Sequence, residues 1–426
     1  MTVALTVTGA VTVDDVAIGL RAVDGLITEL GPAVAAQEGD DHLDAGGDVL
    51  LRGLVNGHTH AAMTLFRGYG GDLPLMQWLE DKIWPAEARL TDDDVYWGTR
   101  LACIEMARSG TTSFWDMYWR PVAVARAVCD SGMRATVGPP IVDGLDPTRA
   151  AAACAEASSW LDQSADYAPQ VQPCLAPHGI YTLSEGALAW VAEESATRQM
   201  PVHLHFLETD DEVTGCLDRY GERPGAFLER LGLLSERTVL AHVVWADDDD
   251  LTRIGAHGAT VVTNPVSNLK LAVGRIFPYA PARAHRIPVA LGTDGASSNN
   301  SLDLLADVKV LALLQKFGDH DPASLPAREA WAVATGALAP ALHSHAATAG
   351  SIDLQVGDPA DFFLARRDAP ELAPGHLLDN LVYAADKSVV RTTVVGGRVV
   401  MSDGVVADEQ EVRAKVVECA RRLGVL

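Results

Sequence analysis

The sequence predicts an α/β protein: a (β/α)8 TIM-like barrel with a small β-sandwich built from both chain termini. Three observations predict it. Eight short apolar, β-branched runs alternate with Ala-rich stretches of helical periodicity. The two ends read instead as hairpins of Val-rich strands. The chain has 426 residues, enough for one large barrel and a smaller unit.

The runs are, in order, "VLLRGLVNGHTH" (49–60), "GTTSFWDM" (110–117), "RATVGPPIV" (134–142) and "VQPCLAPHG" (171–179). "PVHLHFLE" (201–208), "TVLAHVVW" (238–245), "ATVVTNPVSN" (259–268) and "PVALGTDG" (288–295) follow. Continuous apolar runs of this length suit parallel strands buried on both faces. Between them, "LSEGALAWVAEESATRQ" opens on a Ser cap and keeps apolar residues at helical spacing, as does "SLDLLADVKVLALLQKF". At the ends, Asp-Gly lies within "GLRAVDGLITELG" and Gly-Gly within "VVRTTVVGGRVVMSDGVV", both hairpin signals. The expected division is residues 51–345 for the barrel and residues 1–50 with 346–426 for the sandwich. "DDDD" at 247–250 reads as a solvated helix start rather than a metal site.

Composition narrows the function. Hydrophobic residues make up 48% of the chain, so a packed core is expected. The net charge of -24 argues against nucleic acid or an anionic membrane as partner, because phosphates would be repelled. No apolar run reaches the ~18 residues of a membrane helix. The start, "MTVALTVTGAVTVDD", has no basic segment of the kind that opens a signal peptide. Six cysteines stand without paired spacing, which indicates neither a disulfide framework nor a zinc knuckle and suits a reduced cytoplasm.

The chemistry-bearing residues gather at strand ends. His58 and His60 end the first run, His178 the fourth, His205 and Glu208 the fifth, His242 the sixth and Asp294 the eighth. In a barrel these ends ring one mouth, where residues distant in sequence converge. Residues i and i+2 of a strand point the same way, so His58 and His60 can grip one ion. A third imidazole and a carboxylate complete a set suited to Zn2+, and such an ion draws the pKa of a coordinated water from ~15.7 towards ~7. Each residue also has a plainer reading as a core histidine, a helix-start carboxylate or a turn residue; the set as a whole favours metal. Asn264 and Asn268 stand between loop capping and a site role. His203, on the strand of His205, reads as a supporting or core histidine. His42, His257, His285, His320, His343, His345 and His376 lie away from strand ends and read as surface or packing residues.

His-x-His on the first strand, His on the fifth and sixth, and Asp on the eighth resemble the amidohydrolase superfamily. "LVNGHTHAAMTLFRGYGGDLPLMQWLEDKIWPAE", "HLHFLET", "VLAHVVW", "TNPVSNLKLA" and "LGTDGASSNNSLD" are similar to its 5-methylthioadenosine/S-adenosylhomocysteine deaminase branch, over residues 50 to 345. The resemblance implies one metal, held by His58, His60, His205 and Asp294. It is expected to be Zn2+, with Fe2+ or Mn2+ suited to the same donors. "CLAPHG" lacks the bridging lysine of two-metal relatives. The resemblance implies further that Glu208 protonates the purine ring and that His242 faces the attacking water. Asp294 would take that water's proton. Trp78 lies near the substrate, Glu87 binds the ribose hydroxyls and His178 faces the substrate.

The implied activity is hydrolytic deamination of a small-molecule adenine nucleoside by a homo-oligomer: adenosine, 5'-deoxyadenosine, methylthioadenosine or S-adenosylhomocysteine. The family arginine associated with the S-adenosylhomocysteine carboxylate is replaced around Pro139, with Arg149 nearby, which tilts the expectation towards the first three. Two alternatives remain: hydrolysis of another N-heterocycle (triazine, guanine or cytosine type), and a non-catalytic barrel.

Overall fold

The computed structural model describes residues 4–343 and 350–426. His345 and the expected division between residues 345 and 346 lie outside the described residues. Eight strands make two four-stranded parallel sheets. The first holds β1 (Leu54–Thr59), β2 (Thr111–Met117), β3 (Arg134–Gly138) and β4 (Val171–Pro173) in the order β4-β3-β2-β1. The second holds β5 (Val202–Phe206), β6 (Thr238–His242), β7 (Thr260–Thr263) and β8 (Val289–Leu291) in sequence order. Backbone hydrogen bonds join the sheets on both sides. His203 donates to Leu175 (2.9 Å) and His205 to His178 (3.1 Å) on one side, and Asp294 donates to His58 (3.0 Å) on the other.

Alternation along these strands divides their side chains between two cores. Val55, Trp115, Val239, Val262 and Ala290 pack together with Cys174, Ala339 and Leu342. Their chain neighbours Leu54, Phe114, Leu240, Val261 and Leu291 join the larger core against the helices. That is why apolar residues occupy both alternations of these strands. Helices such as Asp92–Arg108, Pro121–Ser131 and Glu185–Arg198 connect them, and Leu304–Gly318 follows β8.

The ends of the chain form one eight-stranded sheet. Ala17–Val23 pairs antiparallel with Leu26–Gly31 across Asp24-Gly25, and Val390–Val395 with Arg398–Ser402 across Gly396-Gly397. Both turns have positive φ at both central residues, the form that matches strand twist. Val49–Arg52 pairs with Phe362–Ala365, which joins the two ends. Here too alternation splits the contacts: Leu50, Phe362 and Leu364 face the terminal sheet's own core, while Val49, Leu51, Phe363 and Ala365 face the large one.

The structure changes several sequence expectations. The first run is two strands, because the chain passes from the terminal sheet to β1 at Gly53. A Cβ on Gly53 would lie 2.2 Å from Oγ1 of Thr112, so no other residue fits there. The third and fourth runs also divide, and Pro140–Ile141 pairs with Ala176–Pro177 as a separate two-stranded piece. Ser184 sits at the cap of its helix but makes no capping hydrogen bond, and Asp303, not Ser301, caps Leu304–Gly318. In the "DDDD" stretch, Asp247 caps Asp248–Ala256 as expected, but Asp250 is buried and ion-paired to Arg223. Among the described residues no helix is long and apolar enough to cross a membrane.

Candidate active site

The loops that follow the strands converge as the strand-end rule requires. The rings of His58 and His60 lie 4.9 Å apart, and His205 lies 4.8 Å from His58 and 5.2 Å from His60. Asp294 Oδ1 is 3.3 Å from His60 Nε2 and 3.5 Å from His58 Nε2. The ligand atoms of His58, His60 and Asp294 all lie within 4.8 Å of one another, and so do those of His58, His205 and His242. The backbone is bent to achieve this. Leu207, His242, Val243 and Asp294 all have positive φ, a costly conformation for a β-branched residue such as Val243. At Gly292 a Cβ would come within 2.4 Å of Asn264 Oδ1 and 2.9 Å of the His58 nitrogen, so only glycine lets β8 approach β1 this closely.

Hydrogen bonds fix the tautomers. His60 Nδ1 lies 2.6 Å from the carbonyl of Met117, and His205 Nδ1 lies 2.6 Å from that of His178. A carbonyl only accepts, so both Nδ1 atoms carry a proton, and in the neutral ring each Nε2 presents a lone pair. Those two Nε2 atoms face each other at 3.1 Å, where neither can donate. His58 Nδ1 meets His203 Nε2 at 2.8 Å, and His58 Nε2 is buried with no partner. Burial pushes the His58 imidazole down to about 4 and that of His205 well below its ordinary value, so both rings are neutral at pH 7. The Asp294 carboxyl lies well below its ordinary value despite burial. Its Oδ2 accepts from Ser267 (2.6 Å) and Ser298 (2.9 Å). Three inward lone pairs and one carboxylate, with no proton between them, are complementary to a divalent cation.

Beside this cluster, Glu208 is 3% exposed and lies 3.9 Å from His242 Nε2. Burial raises its carboxyl, against the pull of His242. His242 Nδ1 is 2.8 Å from Asn268 Oδ1 and 3.4 Å from Asn264 Nδ2, so both asparagines reach the site. His203 supports His58.

The cluster opens into a cavity of about 810 Å³. Trp78, Glu87 and His178 all line it, with Leu75, Leu79, Tyr118 and Trp119. Trp78 and Glu87 sit on Leu75–Trp78 and Trp84–Glu87, joined by a wide turn, Leu79–Ile83, with π-type hydrogen bonding. Burial raises the Glu87 carboxyl, countered by Trp119 and Tyr118. Pro140, Val142 and Gly144 form another part of the wall. Arg149 is exposed, yet its Nη1 lies 3.2 Å from where a Cβ on Gly144 would be. Sequence reasoning missed Ser267, Ser298, Tyr118 and Trp119. The strand-end rule points to the last two, which directly follow β2; nothing in the sequence singles out the serines.

A barrel-type α/β fold with this His/His/Asp cluster at its strand ends defines a class, and the chain belongs to the amidohydrolase family, whose model matches residues 49–400. Within that family it is 43% identical over 383 residues to a 5'-deoxyadenosine deaminase of Methanoregula boonei (89% of this chain, 86% of that one). It is 42% identical over 396 residues to a 5-methylthioadenosine/S-adenosylhomocysteine deaminase of Syntrophobacter fumaroxidans (89% and 87%). A crystal structure of an adenosine deaminase from Xanthomonas campestris with bound zinc superposes with a TM-score of 0.90 at 31% identity (100% of this chain, 99% of that one).

Proposed function

We propose that the chain is a metal-dependent aminohydrolase that converts an adenine nucleoside and water into the inosine analogue and ammonia. The observation that carries this is the pair of Nε2 atoms of His60 and His205, 3.1 Å apart while each Nδ1 is bound to a carbonyl, beside the partnerless Nε2 of His58 and the carboxylate of Asp294. The named activities of the relatives and the bound zinc of the structural neighbour support it.

His58, His60, His205 and Asp294 would hold one divalent ion, Zn2+ by preference, with Fe2+ or Mn2+ suited to the same donors. When bound, it supplies an acidified water at neutral pH. The residues do the rest. Asp294 takes the water's proton, and His242 orients its oxygen towards C6 of the purine. Glu208, its carboxyl raised by burial, gives a proton to the adjacent ring nitrogen. The C6–oxygen bond forms; Glu208, left ionised, takes the hydroxyl proton from that oxygen and relays it to the amino group as the C6–amino bond breaks and ammonia leaves, and the proton held by Asp294 then restores Glu208. His178 and Trp78 border the base, and Glu87 accepts hydrogen bonds from the sugar hydroxyls.

Adenosine, 5'-deoxyadenosine and methylthioadenosine suit the wall of Leu75, Leu79, Pro140 and Val142; S-adenosylhomocysteine would depend on Arg149 for its carboxylate. The same reading closes the two parallel sheets into a (β/α)8 barrel over residues 51–345. Residues 1–50 and 346–426 then fold over their own core as a small β-sandwich. It also includes a homo-oligomer and a cytoplasmic location.

A coupled ammonia assay tests the proposal on these nucleosides, with guanine, cytosine and triazines alongside. Release of ammonia from at least one adenine nucleoside is expected. Turnover only of another heterocycle overturns the reading.

A further inference from the structure

Glu87 rides on a short helix, Trp84–Glu87, in the connection after β1, far in sequence from everything it faces. What holds its carboxylate in place comes from the end of β2. Trp119 donates its indole N–H to Glu87 Oε2 at 3.1 Å. Tyr118, next to it, is 2% exposed, and its hydroxyl oxygen is buried with no hydrogen-bond partner of ordinary geometry. Burial and the charge of the facing Glu87 carboxylate push this phenol well above its ordinary range, so it keeps its proton and can only act as a neutral donor. Two donors from one dipeptide thus face one carboxylate, and all three residues line the same cavity.

A carboxylate has lone pairs for about four hydrogen bonds. One is taken by the fixed indole donor, and the Tyr118 phenol crowds a second, which leaves the others in fixed directions. A cis-diol, with two parallel O–H donors, is the group that such a half-satisfied carboxylate matches. The donors do more than aim it. A buried carboxylate without donors takes up a proton and loses an acceptor. Donors that oppose the rise caused by burial favour the ionised form and so keep its free oxygen sites available for hydroxyls. We propose that Tyr118 and Trp119 are positioning residues that clamp Glu87 and so set the preference of the site for a ribonucleoside over its 2'- and 3'-deoxy analogues. The inference rests on the reading of Glu87 as the acceptor of the sugar hydroxyls.

The test compares wild type, Trp119→Phe and Tyr118→Phe, each loaded with zinc. Dissociation constants for inosine, 2'-deoxyinosine and 3'-deoxyinosine are measured by calorimetry, and kcat and KM for adenosine and its two deoxy forms by ammonia release. In each variant the preference of ribose over deoxyribose should fall about tenfold, the size of one lost hydrogen bond to a charged group. The loss should appear in KM for the ribonucleoside more than in kcat. A purely structural role would weaken all three ligands alike, and that result overturns the proposal. An unchanged preference overturns it equally. If one variant does not fold, the other carries the test. The calorimetric arm needs no turnover. Wild type that prefers inosine to its deoxy forms but deaminates nothing would refute the deaminase reading and leave the clamp standing.

Discussion

Replacing His203 by leucine tests how the metal cluster is held. His203 is fully buried, and its Nε2 lies 2.8 Å from His58 Nδ1. With His58 Nε2 turned to the ion, Nδ1–H donates to His203. His203→Leu fills most of the volume but leaves that N–H unpaired in a dry core. An unsatisfied buried donor costs about 1–3 kcal/mol. Loss of an outer partner of a metal-binding histidine weakens metal affinity 10- to 100-fold, or about 1.4–2.8 kcal/mol. The two ranges agree, so most of the penalty is expected in metal binding. The assay is competition with a chromophoric chelator, which gives the zinc dissociation constant of wild type, His203→Leu and His203→Gln. The leucine variant should bind zinc at least tenfold more weakly, and glutamine, which can still accept from His58, should recover part of the loss. Affinity unchanged within twofold in the leucine variant would refute the tautomer argument, because His58 would then not need its Nδ1 fixed.

Four further outcomes follow from the same geometry. Glu208→Gln should lower kcat by about 10²–10⁴ while zinc content, measured by elemental analysis, stays at the wild-type level. Removal of the metal by chelation should lower the melting temperature, and zinc at about 100 times its dissociation constant should restore about 2.7 kcal/mol of stability; an unchanged melting curve contradicts a preformed site. Asp116 is buried and its carboxyl is raised from 3.8 to about 7 by desolvation, against a hydrogen bond from Ala61. Between about pH 4 and 7 the folded state alone holds that proton, so its contribution to stability falls by about 1.4 kcal/mol per pH unit and levels off above 7. In urea unfolding, Asp116→Asn should therefore gain on wild type as pH rises through that window; a constant difference refutes it. Residues 61–90 should gain protection from hydrogen exchange when inosine binds, since they carry Trp78 and Glu87 over the cavity; equal exchange in both states would show that this segment does not close.

The site was more legible in the sequence than the fold that carries it. A strand repeats every two residues, so His58 and His60 announce a shared face, and the strand-end rule gathers His205, His242 and Asp294 without any knowledge of distances. Where strands begin and end was less legible. The run from Val49 to His60 reads as one continuous strand, and only the contact of Gly53 with Thr112, a long-range fact, shows that two sheets share it. The apolar pattern also overstates β8, which shrinks to Val289–Leu291 because the residues after it turn to deliver Asp294. Supporting groups were hidden for another reason. Ser267 and Ser298 look like ordinary serines, and their role exists only because the short helix Pro265–Lys270 and the segment after β8 bring both hydroxyls to one oxygen of Asp294. Tyr118 and Trp119 lie where strand-end reasoning looks, but a tyrosine and a tryptophan after a strand also suit a packed core, and only their approach to Glu87 distinguishes them.

The central claim is that one ion, held by the imidazoles of residues 58, 60 and 205 and the carboxylate of residue 294, makes this chain a nucleoside deaminase. Titration of metal-free protein with zinc, with ammonia release from 5'-deoxyadenosine and adenosine followed at each step, tests it most directly. The account predicts activity that rises linearly and breaks at one zinc per chain. Full activity in the metal-free protein, or a rise that continues to two equivalents, would contradict it.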